Sequence, residues 1–424
     1  MKFRVLLSVF FIFWAFVSCS STDPNDNGSS SSSNGGWTGW PFDDSEETLP
    51  PDNCPSYDEA IEITYNNGAE IPNDPSVTKE GENATVNLSG ITDTASRHIL
   101  VSGTARNGSL KIYGSDSSRV VLHLNGVNIK NNSGPAINVQ KGRRVTVCLV
   151  SGKENYLDGT SATPQGTEQA KGAFFSEEKL YFKGNGSLEV KSRQGHAIVV
   201  DNDFEIDNGR ITISEAAGDG IHVNNKIEIK GGVIKIASKG DAIQSENFGS
   251  AIYPSVIISG GKILAKTTGI KSHGITSESP ISIDSNAIIQ ISVSGNGSKG
   301  IKSTNEMVIT GGTIAIQARG GRDKNGADTS TAAGIKVGGD DNAADLFIDG
   351  GNITIKSPGS DAKGINVSKN IDMRSGSINI EADDDGIKVR GTLNMRGGSI
   401  TVVSRKSDAI DGVVSKTGGT INGN

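Results

Sequence analysis

Aspartates fall at matching places in a phrase that recurs along this chain. The residue two before a repeated isoleucine is, in turn, Asp219, Asp241, His273, Lys299, Ala333, Lys363, Asp385 and Asp408. Asp383 and Asp384 add two carboxylates beside Asp385. If copies of the phrase stack, Asp219 neighbours Asp241 and Asp385 neighbours Asp408. Carboxylates that close repel one another, and a cation relieves the repulsion. Calcium takes roughly six to eight hard oxygens in loose geometry. Asp219, Asp241, Asp383, Asp384, Asp385 and Asp408 are therefore the candidate metal ligands, with calcium the expected ion. A plainer role competes, since aspartate suits a turn ahead of glycine by hydrogen-bonding its own backbone. For Asp219 and Asp241 the two roles are closely balanced; three consecutive aspartates exceed what a turn requires.

The residue after each repeated isoleucine should point outward. It reads His222, Gln244, Thr276, Lys302, Lys336, Asn366, Lys388 and Asp411. Three lysines in one column of an acidic protein would make a cationic stripe beside the acidic corner. Lys302, Lys336, Lys388 and the nearby Arg390 are thus the candidate ligand-binding residues, for an anionic sugar chain that bridges lysine and calcium. The bland alternative is a solvated face on which lysine discourages lateral aggregation. A lyase would use calcium to acidify the proton beside a uronate carboxylate and a base to remove it. Lys388 and Arg390 lie near enough to the acids for that part. Hydrolysis would need one opposed carboxylate pair, and these acids are too numerous to single one out.

Both columns presuppose a repeat. The anchoring residues are Ile198, Ile221, Ile243, Ile275, Ile301, Ile335, Ile365, Ile387 and Ile410, at separations of 23, 22, 32, 26, 34, 30, 22 and 23. A basal unit of 22 to 23 residues with insertions holds three short strands and three turns. Each strand alternates apolar and polar residues, the pattern of a half-buried strand. One such unit cannot bury its own isoleucines, so stacking must supply the core. The expected fold is all-β, a single-stranded parallel β-helix, right-handed by the crossover rule, with an N-terminal cap. Residues 57–170 repeat less cleanly and read as that cap and the first rungs. Glycine, 55 residues in all, punctuates the turns, while aromatics are only 5% and the apolar fraction is 34%.

The N-terminus reads as an export signal. Lys2 and Arg4 precede an apolar run from Val5 to Val17, then Ser18 and Cys19, which is short for a membrane span. Phe16-Val17-Ser18-Cys19 resembles a lipobox, so residues 1–19 are expected to be a lipoprotein signal peptide with Cys19 lipidated. Residues 20–56 read as a Ser/Gly/acidic linker, and 57–424 as the β-helix. The implied place is the bacterial cell envelope, at the outer membrane or cell surface, held by a lipid anchor, with a monomer expected. A net charge of −7 leaves no basic footprint for nucleic acid. Cys54 and Cys148 suit either one disulfide or, for Cys148 in a strand-like run, a buried free thiol. No CxxC pair or Cys/His spacing in the sequence points to zinc.

With those residues in view, the chain resembles the bacterial β-helix carbohydrate-binding family, calcium-binding proteins of pectate-lyase-like fold that bind cellulose and polygalacturonate. The resemblance is carried by Val120-Val-Leu-His-Leu-Asn-Gly126, Gly134-Pro-Ala-Ile137 and Gly152-Lys-Glu-Asn-Tyr-Leu-Asp158, then by the Gly218-Asp-Gly-Ile221, Gly240-Asp-Ala-Ile243 and Asp384-Asp-Gly-Ile387 rungs. It spans residues 80 to about 412. It implies calcium at Asp219, Asp241, Asp384 and Asp385, and an acidic or cellulosic polysaccharide partner. Lys299, Ala333 and Lys363 depart from the pattern, so fewer ion sites are expected here. The reading is a calcium-assisted polysaccharide binder, with a lyase on the same fold, or a structural adhesin stalk, as alternatives.

Overall fold

The computed structural model describes residues 47–163, 168–246, 253–324, 330–339 and 341–423. Cys19, the signal segment, Trp37 and Trp40 lie outside the described residues. Among the described residues there is no helix, and the chain winds into a β-solenoid of about 13 turns.

Each turn carries three strands. One turn holds Ile221–Val223, Ile227–Ile229 and Val233–Ser238. Each pairs in parallel with its counterpart one turn later, Ile243–Ser245, Val256–Ile258 and Lys262–Thr267. Three parallel sheets result, and equivalent residues become vertical neighbours. Ile198 lies opposite Ile221, Ile221 opposite Ile243, Ile243 opposite Ile275, and so on to Ile410. Ile198 to Ile387 in this column are fully buried, and Ile410, on the last turns, is only partly so. Each buried isoleucine contributes roughly 1.5–3 kcal/mol, which no turn could gather alone.

Glycines act in two distinct ways. Gly232 has φ +77°, a left-handed corner. Gly300 is held by space instead: a Cβ there would stand 2.3 Å from Ile316 Cγ2 and 2.6 Å from the Gly334 carbonyl. Glycine before the anchoring isoleucine lets one turn sit directly on the next.

The N-terminal cap consists of two antiparallel hairpins, Ile61–Asn66 with Ala69–Glu70 and Val77–Glu80 with Asn83–Asn87. The strands Ile61–Asn66 and Asn83–Asn87 then feed the parallel stacks. Between Ile301 and Ile335, Arg322–Asp323 pairs antiparallel with Ser330–Thr331.

Residues 47–54, the end of the segment read as linker, are fastened along the solenoid. The Glu47 carboxylate meets the buried Lys262 ammonium at 3.1 Å. The Arg210 guanidinium donates to the Glu47 carbonyl at 3.0 Å, and the Asn208 amide donates to the Pro50 carbonyl at 3.1 Å. Gly184 N–H donates to Asn53 Oδ1 at 2.7 Å. Cys54 and Cys148 form a disulfide with a Cα–Cα distance of 5.5 Å. Of the two sequence readings the bridge is the one realised, and it clamps the strap onto a core strand.

That bridge spans 94 residues, a long loop to leave unconstrained in the unfolded chain. Replacing both cysteines, Cys54→Ser with Cys148→Ser, is expected to cost about 2–4 kcal/mol. A lower urea midpoint and faster amide exchange at Gly184 would show it. An unchanged midpoint would mean that the polar contacts of residues 47–53 hold the strap unaided.

Candidate functional site

The outward column foreseen in sequence exists and is longer than expected. Cα pairing places His222, Gln244, Thr276, Lys302, Lys336, Asn366, Lys388 and Asp411 one above another. Upstream it continues through Val199, Phe175, Asn138 and Lys111 to Thr85. Successive turns stand about 4.8 Å apart, so these side chains form a single file along the first sheet, in which Asn138, Phe175, Val199 and Thr276 are buried.

Beside it runs the column two residues before each isoleucine, which builds a ladder of hydrogen bonds. Asp219 N–H donates to His196 Nδ1 at 2.9 Å, and Asp241 N–H to Asp219 Oδ1 at 2.7 Å. His273 N–H donates to Asp241 Oδ1 at 2.5 Å, and Lys299 N–H to His273 Nδ1 at 3.0 Å. Each side chain accepts the backbone N–H of the turn after it. Asp219 and Asp241 thus do the turn chemistry that competed with metal binding, but for the next turn's backbone and not their own. Burial pushes the Asp241 carboxyl up to about 7, with the Asp219 charge adding to the rise. Burial would raise Asp219 as well, yet the adjacent His196 and His222 rings and the Asp241 N–H hold it well below the usual carboxylate range.

The acids expected to gather calcium near the C-terminal end are arranged differently. Asp383 pairs with Lys406 at 2.7 Å. Asp384 pairs with Lys363 and accepts the Ser407 hydroxyl at 2.6 Å. Asp385 meets Lys363 at 2.7 Å and Lys388 at 3.5 Å. Asp408 is exposed, and its carbonyl accepts Gly386 N–H at 3.1 Å. A calcium cage needs roughly six oxygens turned inward; here ammonium groups already occupy Asp383, Asp384 and Asp385. These residues do not fit calcium as they stand, because Lys363, which departs from the expected pattern, and Lys388 and Lys406 supply the positive charge.

The lysine column divides in two. Lys388 is ion-paired with Asp411 as well as Asp385, and the Asp411 hydrogen bond leads the causes that raise its ammonium above the ordinary lysine value. That shift is opposite to what a proton-abstracting base requires. Arg390 lies exposed two residues further on. Lys302 and Lys336 lie directly opposite each other, and Lys299 is buried beside them. The Lys299 ammonium donates to the Gly297 carbonyl at 2.6 Å and to the Ser330 hydroxyl. Desolvation pushes it down to about 7, with repulsion from Lys302, Lys336 and Lys271 adding to the fall. The adjacent His273 is held well below its ordinary value, again by burial first. The middle of the track thus gathers Lys299, Lys302 and Lys336, with Lys271 beside them ion-paired to the buried Asp323 at 3.4 Å, in a chain of net charge −7.

Two features escaped the sequence reading. His196 occupies the same column as Asp219, one turn earlier, and counting back from Ile198 would have found it. A polar cavity of about 570 Å³ opens on the N-terminal turns, lined by Asn83, Asn107, Asn131, Asn138, Lys111 and Glu168 among others. Its first three asparagines recur at intervals of 24 residues, although Asn83 itself stands opposite Ser109.

Comparisons with known proteins agree with this architecture. The family described as "Carbohydrate-binding domain-containing protein" matches residues 81–362 and 342–422. A protein of that description from Acetivibrio thermocellus is 31% identical over 109 residues. That match covers 25% of this chain and 38% of the relative, so the chain spans less than half of that relative's length. A solved structure, a polysaccharide lyase-like protein from C. thermocellum studied as a gadolinium derivative, is 25% identical with a TM-score of 0.50. The overlap covers 61% of this chain and 97% of that one.

The Lys299 environment gives a signed pH dependence. Its folded value of about 7 lies below the ordinary 10.5, so between those limits the unfolded chain holds a proton the folded chain does not. Stability should therefore rise with pH across that window, by at most about 1.4 kcal/mol per pH unit from this group. Below pH 7 the full cost of the buried charge remains. Lys299→Met should flatten the slope in urea titrations at pH 7 to 10; an identical slope would show that the ammonium is not desolvated.

Proposed function

We propose, from the premise that this chain belongs to the carbohydrate-binding domain-containing family, that it holds an anionic, uronate-type polysaccharide along the outward column of the first sheet. In the same reading Cys19 carries a lipid anchor that fixes the protein to the bacterial cell envelope.

The observation that carries the sugar assignment is the direct opposition of Lys302 and Lys336 with Lys299 buried beside them. Like charges on opposed strand residues destabilise a sheet, and Lys299 gains no compensating carboxylate among its hydrogen-bond partners Gly297 and Ser330. A ligand bearing a carboxylate at each repeat relieves that repulsion. A polymer suits the site better than a small acid, because the column repeats on every turn. Polar neutral residues above and below, the half-buried Gln244 and Asn366, extend the track with groups that bond sugar hydroxyls. Aromatics at 5% of the chain supply few flat platforms for crystalline cellulose. No contact in this reading passes through calcium. Anchoring rests on the N-terminal sequence, since several acyl chains hold a protein firmly at a membrane.

Affinity electrophoresis tests the assignment. Polygalacturonate in the gel should retard the protein and hydroxyethyl cellulose should not, with retardation falling as salt rises. Lys302→Ala with Lys336→Ala should weaken binding at least about tenfold, or 1.4 kcal/mol, at unchanged circular dichroism. Equal retardation by the neutral polymer, or an unaffected double variant, would overturn the acidic track. Loss of binding in chelator would return calcium to the mechanism. Unsaturated products absorbing in the ultraviolet would establish a lyase, and indifference to every polysaccharide would favour a stalk.

A further inference from the structure

The hydrogen-bond ladder accounts for His196 and Asp219, but it does not account for His222. That ring stands in the outward column and turns back toward the ladder, placing Nδ1 2.8 Å from Asp219 Oδ2. The same oxygen lies 3.1 Å from His196 Nδ1, and the two rings are 4.7 Å apart between centroids. Two imidazoles from successive turns thus converge on one carboxylate oxygen. His273 takes part in the same ladder without such a convergence. Among the described residues, this is the one group of three His, Cys, Asp or Glu side chains whose donor atoms all lie within 4.8 Å.

The donor set discriminates between ions. Zinc binds histidine nitrogen and carboxylate oxygen at roughly 2.0–2.2 Å, so two ligands on one tetrahedral ion stand about 3.3 Å apart. The separations of 3.1 and 2.8 Å are close to that. Two imidazoles with one carboxylate suit a borderline divalent transition metal and not calcium, which wants oxygen. The surroundings supply what ligands of such an ion need. Glu246 Oε1 lies 3.4 Å from His222 Nε2, and Asp241 N–H fixes the second oxygen of Asp219 at 2.7 Å; partners of this kind orient ligands in metal sites. A cavity of about 350 Å³, lined by His196, His222, Ser161 and Lys171 among others, opens over the cluster. Asp219 is buried, so the carboxylate is held ready and does not need to be recruited from solvent. Two contacts compete: the His196 Nδ1 lone pair accepts Asp219 N–H at 2.9 Å, and a hydrogen bond joins His222 Nδ1 to Asp219 Oδ2 at 2.8 Å; an ion would take over the first nitrogen's lone pair and displace the proton of the second.

We propose that His196, Asp219 and His222 form a binding site for a zinc-class divalent transition-metal ion, with an open coordination position facing the cavity above them. Three protein ligands and one free position are the arrangement of sites that admit an exchangeable ligand. The site lies on the same face as the lysine track, several turns nearer the N-terminus.

Cobalt(II) titrated into the full chain, without polysaccharide, tests this independently of the sugar assignment. One saturable site with visible absorption bands of a four- or five-coordinate ion is expected, and millimolar calcium should not displace it. Asp219→Asn keeps the acceptor for Asp241 N–H and should weaken cobalt binding more than tenfold, as should His222→Gln. His273→Gln, in the same ladder but outside the cluster, should leave it unchanged. Absence of saturable bands from the unaltered chain overturns the site whatever the variants do. Binding that survives both Asp219→Asn and His222→Gln, with circular dichroism intact, also overturns it.

Discussion

Parallel pairing of successive turns is the constraint from which the chemistry follows. It fixes residues one turn apart at about 4.8 Å, close enough for like charges to repel and for a side chain to reach the next backbone. No single turn contains a site. Asp219 depends on His196 from the turn before and on the Asp241 amide from the turn after, so sequence-distant residues act as immediate neighbours. The core imposes this spacing because an isoleucine column tolerates no slip: a shift of one residue would turn the buried face outward.

Electrostatics along the face is graded by that stacking. Near the C-terminal end, acids and lysines alternate between turns, so Lys363 meets Asp385 and Lys388 meets Asp411 across adjacent strands. In the middle, Lys299, Lys302 and Lys336 coincide on two turns, and repulsion accumulates. Towards the N-terminus imidazoles and amides join the charged groups, which there are paired, as in Lys171–Asp201 and Lys111–Glu168. One fold thus presents a neutralised end, a cationic centre and a nitrogen-rich region without any change of backbone. Substituting one residue per turn is enough to change what the face attracts, provided the isoleucine and glycine positions are kept.

The solenoid was legible because its signal is repeated: nine isoleucines, each preceded by glycine or alanine, specify both the period and the face. The two candidate columns were legible for the same reason, and Cα pairing places Lys302, Lys336 and Lys388 as counting predicts. Counting could not show how each column's side chains are satisfied. Lys363 stands 22 residues before Asp385 and Lys406 stands 23 after Asp383, separations of one turn, so those pairs were present in the spacing but masked by an expectation of calcium. The convergence of His222 on Asp219 was harder to read, because it joins two columns and depends on a ring turning back. The strap at residues 47–54 has no periodicity, and its contacts with Gly184, Asn208 and Lys262 follow from shape alone.

The ladder also limits what the acidic column can become. The N–H at this position of each following turn must find an acceptor, since a buried unsatisfied donor costs about 1–3 kcal/mol; past Lys299 the carbonyls of Ser298 and Ala332 take it for Ala333 and Lys363. Aspartate and histidine meet that demand, and each retains a second atom for other work. Asp219 spends Oδ1 on the ladder and offers Oδ2 to the histidines. Lysine cannot accept at all, and from Lys299 onward the column gives up the ladder for ion pairs and carbonyl contacts. The side-chain ladder therefore runs from His196 to Lys299, and the neighbouring ammonium groups of Lys299, Lys302 and Lys336 follow it. The boundary between the two regions falls at Lys299, whose N–H completes the ladder while its ammonium opens the cationic track.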